Sequence, residues 1–279
     1  MKKIDGPQTI GIIGGKGIIG SFFARVFRRH GYRIIVSDLN TALTNEEVIA
    51  RSDVLCFAVP LHLTVDIIQN LMPLVRRDQL LIDFASLKID SMRAMMKSKA
   101  SVLGVHPMFR PSKRGLKNER VVICKGRADT NHIAWIENIL KKEGAHVVAM
   151  SAKKHDQLMS IIQVLLHFHT IVLGNTFRKL KIPIRDTLQI SSPIYKLEMD
   201  VMARIFSQDP KLYGAIEMLN PETKKVTDAF LRETAGLAKA VQQKDLKKFA
   251  AEFTKTSKFL GSFKAEAMRE IDHLLKYLS

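Results

Sequence analysis

Cysteine is nearly missing from this 279-residue chain, and its two copies, Cys56 and Cys124, sit in separate apolar segments. That count and spacing argue against a disulfide framework and against any metal site built on cysteine. Aromatic residues are sparse, at 7% with one tryptophan. No run of about 18 consecutive apolar residues occurs, so no membrane span is expected. Lys2 and Lys3 are not followed by a secretory apolar core and cleavage site, which leads to the expectation of a cytoplasmic protein. Internal repeats and low-complexity linkers are also missing. Positive charge, by contrast, is abundant: 44 Lys and Arg face 27 Asp and Glu, a net +17. The excess is spread along the chain without a run of five like charges, which argues against dedicated nucleic-acid binding. A positive field of this kind suits an anionic small molecule.

With 46% hydrophobic residues the chain can build a sizeable core, most simply in two domains. Residues 1–150 alternate strand-like and helix-like segments. Strands are expected at Thr9–Ile13, Arg33–Ser37, Val54–Val59, Gln79–Phe84, Val102–Val105, Arg120–Cys124 and His146–Ala149. Helical periodicity fills the gaps, and Thr44 with Glu47 forms a capping box. Apolar strands alternating with helices predict an α/β fold, a Rossmann-type doubly wound parallel sheet. After Met150 the strands stop. One long helix is expected over Lys154–Leu180, then helices at Ile194–Phe206, Pro221–Gln243 and Asp245–Leu278, so that 151–279 forms an all-α domain.

Gly15-x-Gly17-x-x-Gly20 follows the first strand and opens the first helix. Gly15 is expected to make the tight turn, Gly17 to let backbone approach a pyrophosphate, and Gly20 to let helix pack on strand. The helix N-terminus then offers N–H groups to phosphate. Asp38 ends the next strand, 18 residues past Gly20, where a carboxylate receives ribose hydroxyls. Leu39-Asn40-Thr41 supplies no arginine for a 2′-phosphate, so NAD is the expected cofactor. Ile18 and Ile19 within the motif, and Val59 and Pro60 after the third strand, complete the expected cofactor site.

Ligands of a doubly wound sheet sit beyond the carboxyl ends of its strands. Asp83-Phe-Ala-Ser86-Leu-Lys88 and Gly104-Val-His106-Pro-Met-Phe109 both fall there. Together with His155-Asp-Gln157 and Ser191-Ser-Pro-Ile-Tyr-Lys-Leu-Glu198, they resemble the motifs of the prephenate dehydrogenases. The likeness is strongest to the dehydrogenase portion of the bacterial bifunctional chorismate mutase–prephenate dehydrogenase, and it runs over essentially the whole chain. It implies that His106 is the catalytic histidine, that Ser86 positions the substrate hydroxyl, and that Lys88 belongs to the catalytic group. It further implies that Arg204 binds a prephenate carboxylate, that His167 lies in the substrate region, and that the protein is a homodimer. Two positions depart from the family pattern: Arg110 stands where glycine is usual, and Leu166 where the bifunctional relatives carry arginine. Eight residues precede the first strand, so fused mutase helices are not expected, nor is a regulatory domain after the last helices.

The implied reaction is NAD-dependent oxidative decarboxylation of prephenate to 4-hydroxyphenylpyruvate in tyrosine biosynthesis, with no metal. A base removes the hydroxyl proton as hydride leaves the ring carbon, and a guanidinium suits the dianion's carboxylate. Alternatives are arogenate dehydrogenase, a β-hydroxyacid dehydrogenase, and a non-catalytic NAD-binding redox sensor. The β-hydroxyacid alternative would require a lysine in the middle of Lys154–Leu180, where none stands.

Overall fold

The computed structural model describes residues 9–111 and 115–276. The chain divides into two compact units. The first runs to Ser160 and regains Gly214–Pro221; the second holds Ile161–Tyr213 and the residues from Glu222 onward.

The first unit is built on strands β1 (Thr9–Ile13), β2 (Arg33–Ser37), β3 (Val54–Phe57), β4 (Leu80–Asp83), β5 (Ser101–Pro107), β6 (Arg120–Lys125) and β7 (His146–Met150). Helices α1 (Ile18–Arg29), α2 (Asn45–Ala50), α3 (Leu61–Leu71), α4 (Ile89–Met95) and α5 (Thr130–Lys142) connect them, and α6 (Ala152–Met159) follows β7. The strands form one sheet in the order β2-β1-β3-β4-β5-β6-β7. Alternate strand residues feed two cores. Ile10, Ile12, Val54, Cys56, Leu80 and Ile82 join one face with Phe22, Phe23 and Phe27 of α1. Ile13, Leu55, Phe57 and Leu81 join the other with Ile68 of α3 and Met95 of α4. Phe23 stacks on Phe84 with centroids 4.1 Å apart, tying α1 to the end of β4. The Thr44–Glu47 capping box opens α2 as expected.

Two strands, β6 and β7, depart from the expected all-parallel sheet. β6 runs antiparallel to β5, with His106 opposite Val122, while β7 is parallel to β6. Parallel neighbours need a crossover, usually a helix, and among the described residues between Pro107 and Arg120 there is none.

In the second unit, α7 (Leu166–Leu180), α8 (Ile184–Gln189), α9 (Pro193–Phe206), α11 (Thr223–Gln242), α12 (Leu246–Leu260) and α13 (Phe263–Leu275) supply the helices, while α10 (Pro210–Leu219) spans the junction. The expected helix from Asp245 to Leu278 is two helices, because Gly261 adopts φ +53° and ends α12. α8 and α10 were not expected from periodicity. α7 packs on α9, where Gly174 leaves room for the Phe206 ring; a Cβ there would lie 2.3 Å from it.

The expected helix over Lys154–Leu180 starts at Ala152 and widens to a π-helical stretch at Ser160–Leu165. By length and composition alone, Ala152–Leu180 is apolar enough to cross a membrane, and its most apolar stretch is largely exposed within the single chain. Interspersed Ser, Gln, His and Thr break the consecutive apolar run without removing that character.

Candidate active site

β1 to β5 are mutually parallel, so their carboxyl ends share one edge, and the register Ile13–Phe57–Asp83–Gly104 runs along it. The glycine turn follows β1, Asp38 follows β2, Val59 and Pro60 follow β3, Ser86 follows β4, and His106 lies near the end of β5. All these residues, separated by up to 91 positions, therefore belong to one edge of one unit.

The glycines divide their tasks differently from the sequence expectation. The left-handed turn residue is Gly14, at φ +80°, where a Cβ would also lie 2.6 Å from the Ala58 carbonyl oxygen. Gly15 is required instead by close packing, since a Cβ there would meet the Val36 side chain at 2.6 Å. Gly20 behaves as expected: its Cβ would lie 2.2 Å from Gly14 O, so only glycine lets α1 approach the turn this closely. Gly17 caps α1 without a side chain, leaving the helix N-terminus open, with Ile18 exposed and Ile19 packed toward the core. This cradle fits a dinucleotide pyrophosphate.

Asp38 accepts from Lys16 N at 2.8 Å and from Leu39 N at 2.7 Å, which joins the turn to the end of β2. Lys16 Nζ donates to Asn40 O at 3.2 Å. The sequence reading sought a cation only after Asp38 and so passed over this one, the residue between Gly15 and Gly17.

His106 is buried, with only 4% of its surface exposed. Its Nδ1 lies 2.8 Å from His155 Nε2, and His155 Nδ1 lies 2.7 Å from Asp156 Oδ1. The Asp156 carboxylate also accepts from Lys88 N at 2.8 Å and Ile89 N at 2.9 Å, the first amides of α4. Asn220 Nδ2 in turn donates to Asp156 O at 2.9 Å. Burial holds the His106 imidazole well below the usual histidine range, with His155 and Lys88 adding to the effect. His155-Asp156 was visible in sequence only as part of a motif; its contact with His106 spans 49 positions.

Lys88 is fully buried and its ammonium is taken up by Asp83 Oδ1, with Asp83 O at 3.3 Å and Val105 O at 3.4 Å. Burial pushes the Asp83 carboxyl up, and the lysine charge opposes it. A lysine enclosed in this way braces β4 against β5, and its ammonium is engaged by Asp83 and the Val105 carbonyl. Ser86 is half-buried and Arg110 exposed. Cys56 and Cys124 are buried, and burial pushes the Cys124 thiol up to about 12, so it supplies no thiolate near neutrality.

Arg204 and His167 lie in the second unit, on the packed helices α9 and α7. Arg204 is exposed, and the His167 ring tilts against Tyr213 with centroids 4.6 Å apart.

Two family descriptions match this chain: "Prephenate dehydrogenase, nucleotide-binding domain" over residues 23–149 and "Prephenate dehydrogenase, dimerization domain" over residues 151–255. A probable arogenate/prephenate dehydrogenase of Methanocaldococcus jannaschii is 34% identical, over 91% of this chain and 61% of its own length. A T-protein of Haemophilus influenzae is 32% identical, over 96% of this chain and 71% of its own. The fold is shared with a crystal structure of prephenate dehydrogenase from A. aeolicus in complex with hydroxyphenyl propionate and NAD+. That match has a TM-score of 0.71 at 18% identity, covering 91% of this chain and 98% of the other. The nucleotide-type strand edge and the helical half thus meet both halves of one family, and the chain belongs to the prephenate dehydrogenases.

Proposed function

We propose that this protein catalyses the NAD-dependent oxidative decarboxylation of prephenate to 4-hydroxyphenylpyruvate, a step toward tyrosine. One observation carries the reading: a buried histidine of lowered basicity, His106, stands on the strand edge that also carries the glycine cradle. The cradle and Asp38 would hold the dinucleotide, at the helix N-terminus and the ribose respectively. When bound, NAD supplies the acceptor for the hydride that leaves the hydroxyl-bearing ring carbon.

His106 accepts the hydroxyl proton as that carbon is oxidised. The ring carboxylate departs as carbon dioxide, its bonding electrons complete the aromatic ring, and the proton returns to the oxygen as a phenol. Ser86 orients the hydroxyl, and Arg204 with His167 is assigned to the substrate's carboxylate end. Lys88 acts through the backbone it braces. A homodimer is part of the same proposal, because α11–α13 expose Leu231, Phe253 and Phe263 on helices of a dimerization-type unit.

The test mixes purified protein with prephenate and NAD and follows NADH absorbance, beside His106→Asn. Turnover by the native protein and a loss of about 10²–10⁴-fold in the variant are expected. Arogenate is assayed in parallel, since the Methanocaldococcus relative is a probable arogenate/prephenate dehydrogenase. Inertness toward both substrates with NAD still bound would replace the dehydrogenase by a redox sensor.

A further inference from the structure

A histidine base works only if the nitrogen facing its substrate carries no proton, and a neutral imidazole has two tautomers. The groups around His106 select between them. The Asp156 carboxylate can only accept, so the His155 Nδ1 facing it at 2.7 Å must carry a hydrogen. A neutral His155 then has a bare Nε2. That lone pair lies 2.8 Å from His106 Nδ1, which must therefore be the donor. His106 is left with hydrogen on Nδ1 and a free lone pair on Nε2.

We propose that His155 and Asp156 are positioning residues that hold His106 in the single tautomer able to accept a proton at Nε2. The device has the logic of a histidine oriented by a carboxylate, extended by one imidazole. His155 is fully buried and Asp156 is 1% exposed, so water does not compete for these bonds. Asp156 is itself fixed by three contacts, from Lys88 N, Ile89 N and Asn220 Nδ2. When His106 takes a proton, its Nδ1–H remains on His155 Nε2, and the new positive charge is backed by the Asp156 carboxylate one ring away. The catalytic consequence rests on the dehydrogenase reading above; the tautomer itself does not.

The experiment therefore has a readout that needs no turnover. Histidine-selective ¹⁵N labelling and long-range ¹H–¹⁵N correlation on the full protein at neutral pH report which nitrogen of His106 is protonated. Hydrogen on Nδ1 is expected in the native protein. In His155→Phe, which offers no acceptor, that preference should be lost. In His155→Gln, whose amide oxygen can accept from His106 Nδ1, it should be kept. With prephenate and NAD, His155→Phe should lower kcat by about 10²-fold or more, while KM changes by less than about threefold. His155→Gln should restore most of the lost kcat, which a mere filling of space would not do. A native His106 protonated on Nε2, or a His155→Phe variant with native tautomer and native kcat, would overturn the proposal. Inertness of the native protein with the Nδ1 tautomer still present, and still lost in His155→Phe, would remove the substrate assignment and leave the lock standing.

Discussion

His106 meets the solvent's pH through a wall of protein, and its response follows from that. Burial disfavours the imidazolium, and the Lys88 ammonium disfavours it further, so the neutral base persists below the ordinary histidine range. Because only the neutral form accepts a proton, kcat/KM should stay level as pH falls through 6.5 and decline only at lower pH. A pH series of kcat/KM checks this, and an acid limb centred at or above 6.5 would contradict it. The glycine turn and Asp38 were legible as features of this strand edge because their signals are local: glycines two and three positions apart, and a carboxylate ending the next strand. What went unseen at this scale was division of labour. Gly14 rather than Gly15 takes the left-handed conformation, while Gly15 is confined by Val36, which approaches from β2.

Where β4 passes into α4, the sequence Asp83 to Lys88 closes a buried ion pair beneath the site. Desolvating both charges is costly, and the pair is tolerated because the ammonium also meets Asp83 O and Val105 O. Lys88→Met would leave Asp83 alone in the core and should cost about 3–5 kcal/mol. Replacing both, as Asp83→Leu with Lys88→Met, should recover much of that loss. Urea unfolding of the two variants measures the difference, and a single variant as stable as the native protein would remove the bracing role. The pair also shows what the sequence does not reveal about Lys88. A motif lysine at the end of a strand looks chemical, and only the fold reveals that it is buried against Asp83. Element direction was equally hidden: apolar periodicity places β6 correctly but does not encode that it runs against β5. The same limit applied to the last helices, where residue pattern continued through Gly261 and backbone conformation did not.

At the scale of the molecule, the single chain leaves too much apolar surface uncovered in its helical half. Phe253 and Phe259 on α12 are 69% and 88% exposed, and Leu231 and Val241 of α11 are exposed as well. The proposed second copy, covering these helices, would account for that surface and for the apolar character of Ala152–Leu180. Sedimentation equilibrium should return twice the monomer mass. Phe253→Glu should raise the dissociation constant by about 10–100-fold, the equivalent of losing one buried aromatic side chain. A dimer unaffected by that change would take α12 out of the interface.

The bonds around Asp156 also draw on parts of the chain that are synthesised later. The glycine cradle, Asp38 and His106 are all encoded by residue 107, but the imidazole that fixes His106 comes 49 positions later. The side chain that holds Asp156 comes 64 positions beyond Asp156 itself. A product truncated near residue 150 would thus keep the glycine turn, Asp38 and His106 but lack the imidazole and carboxylate that orient His106.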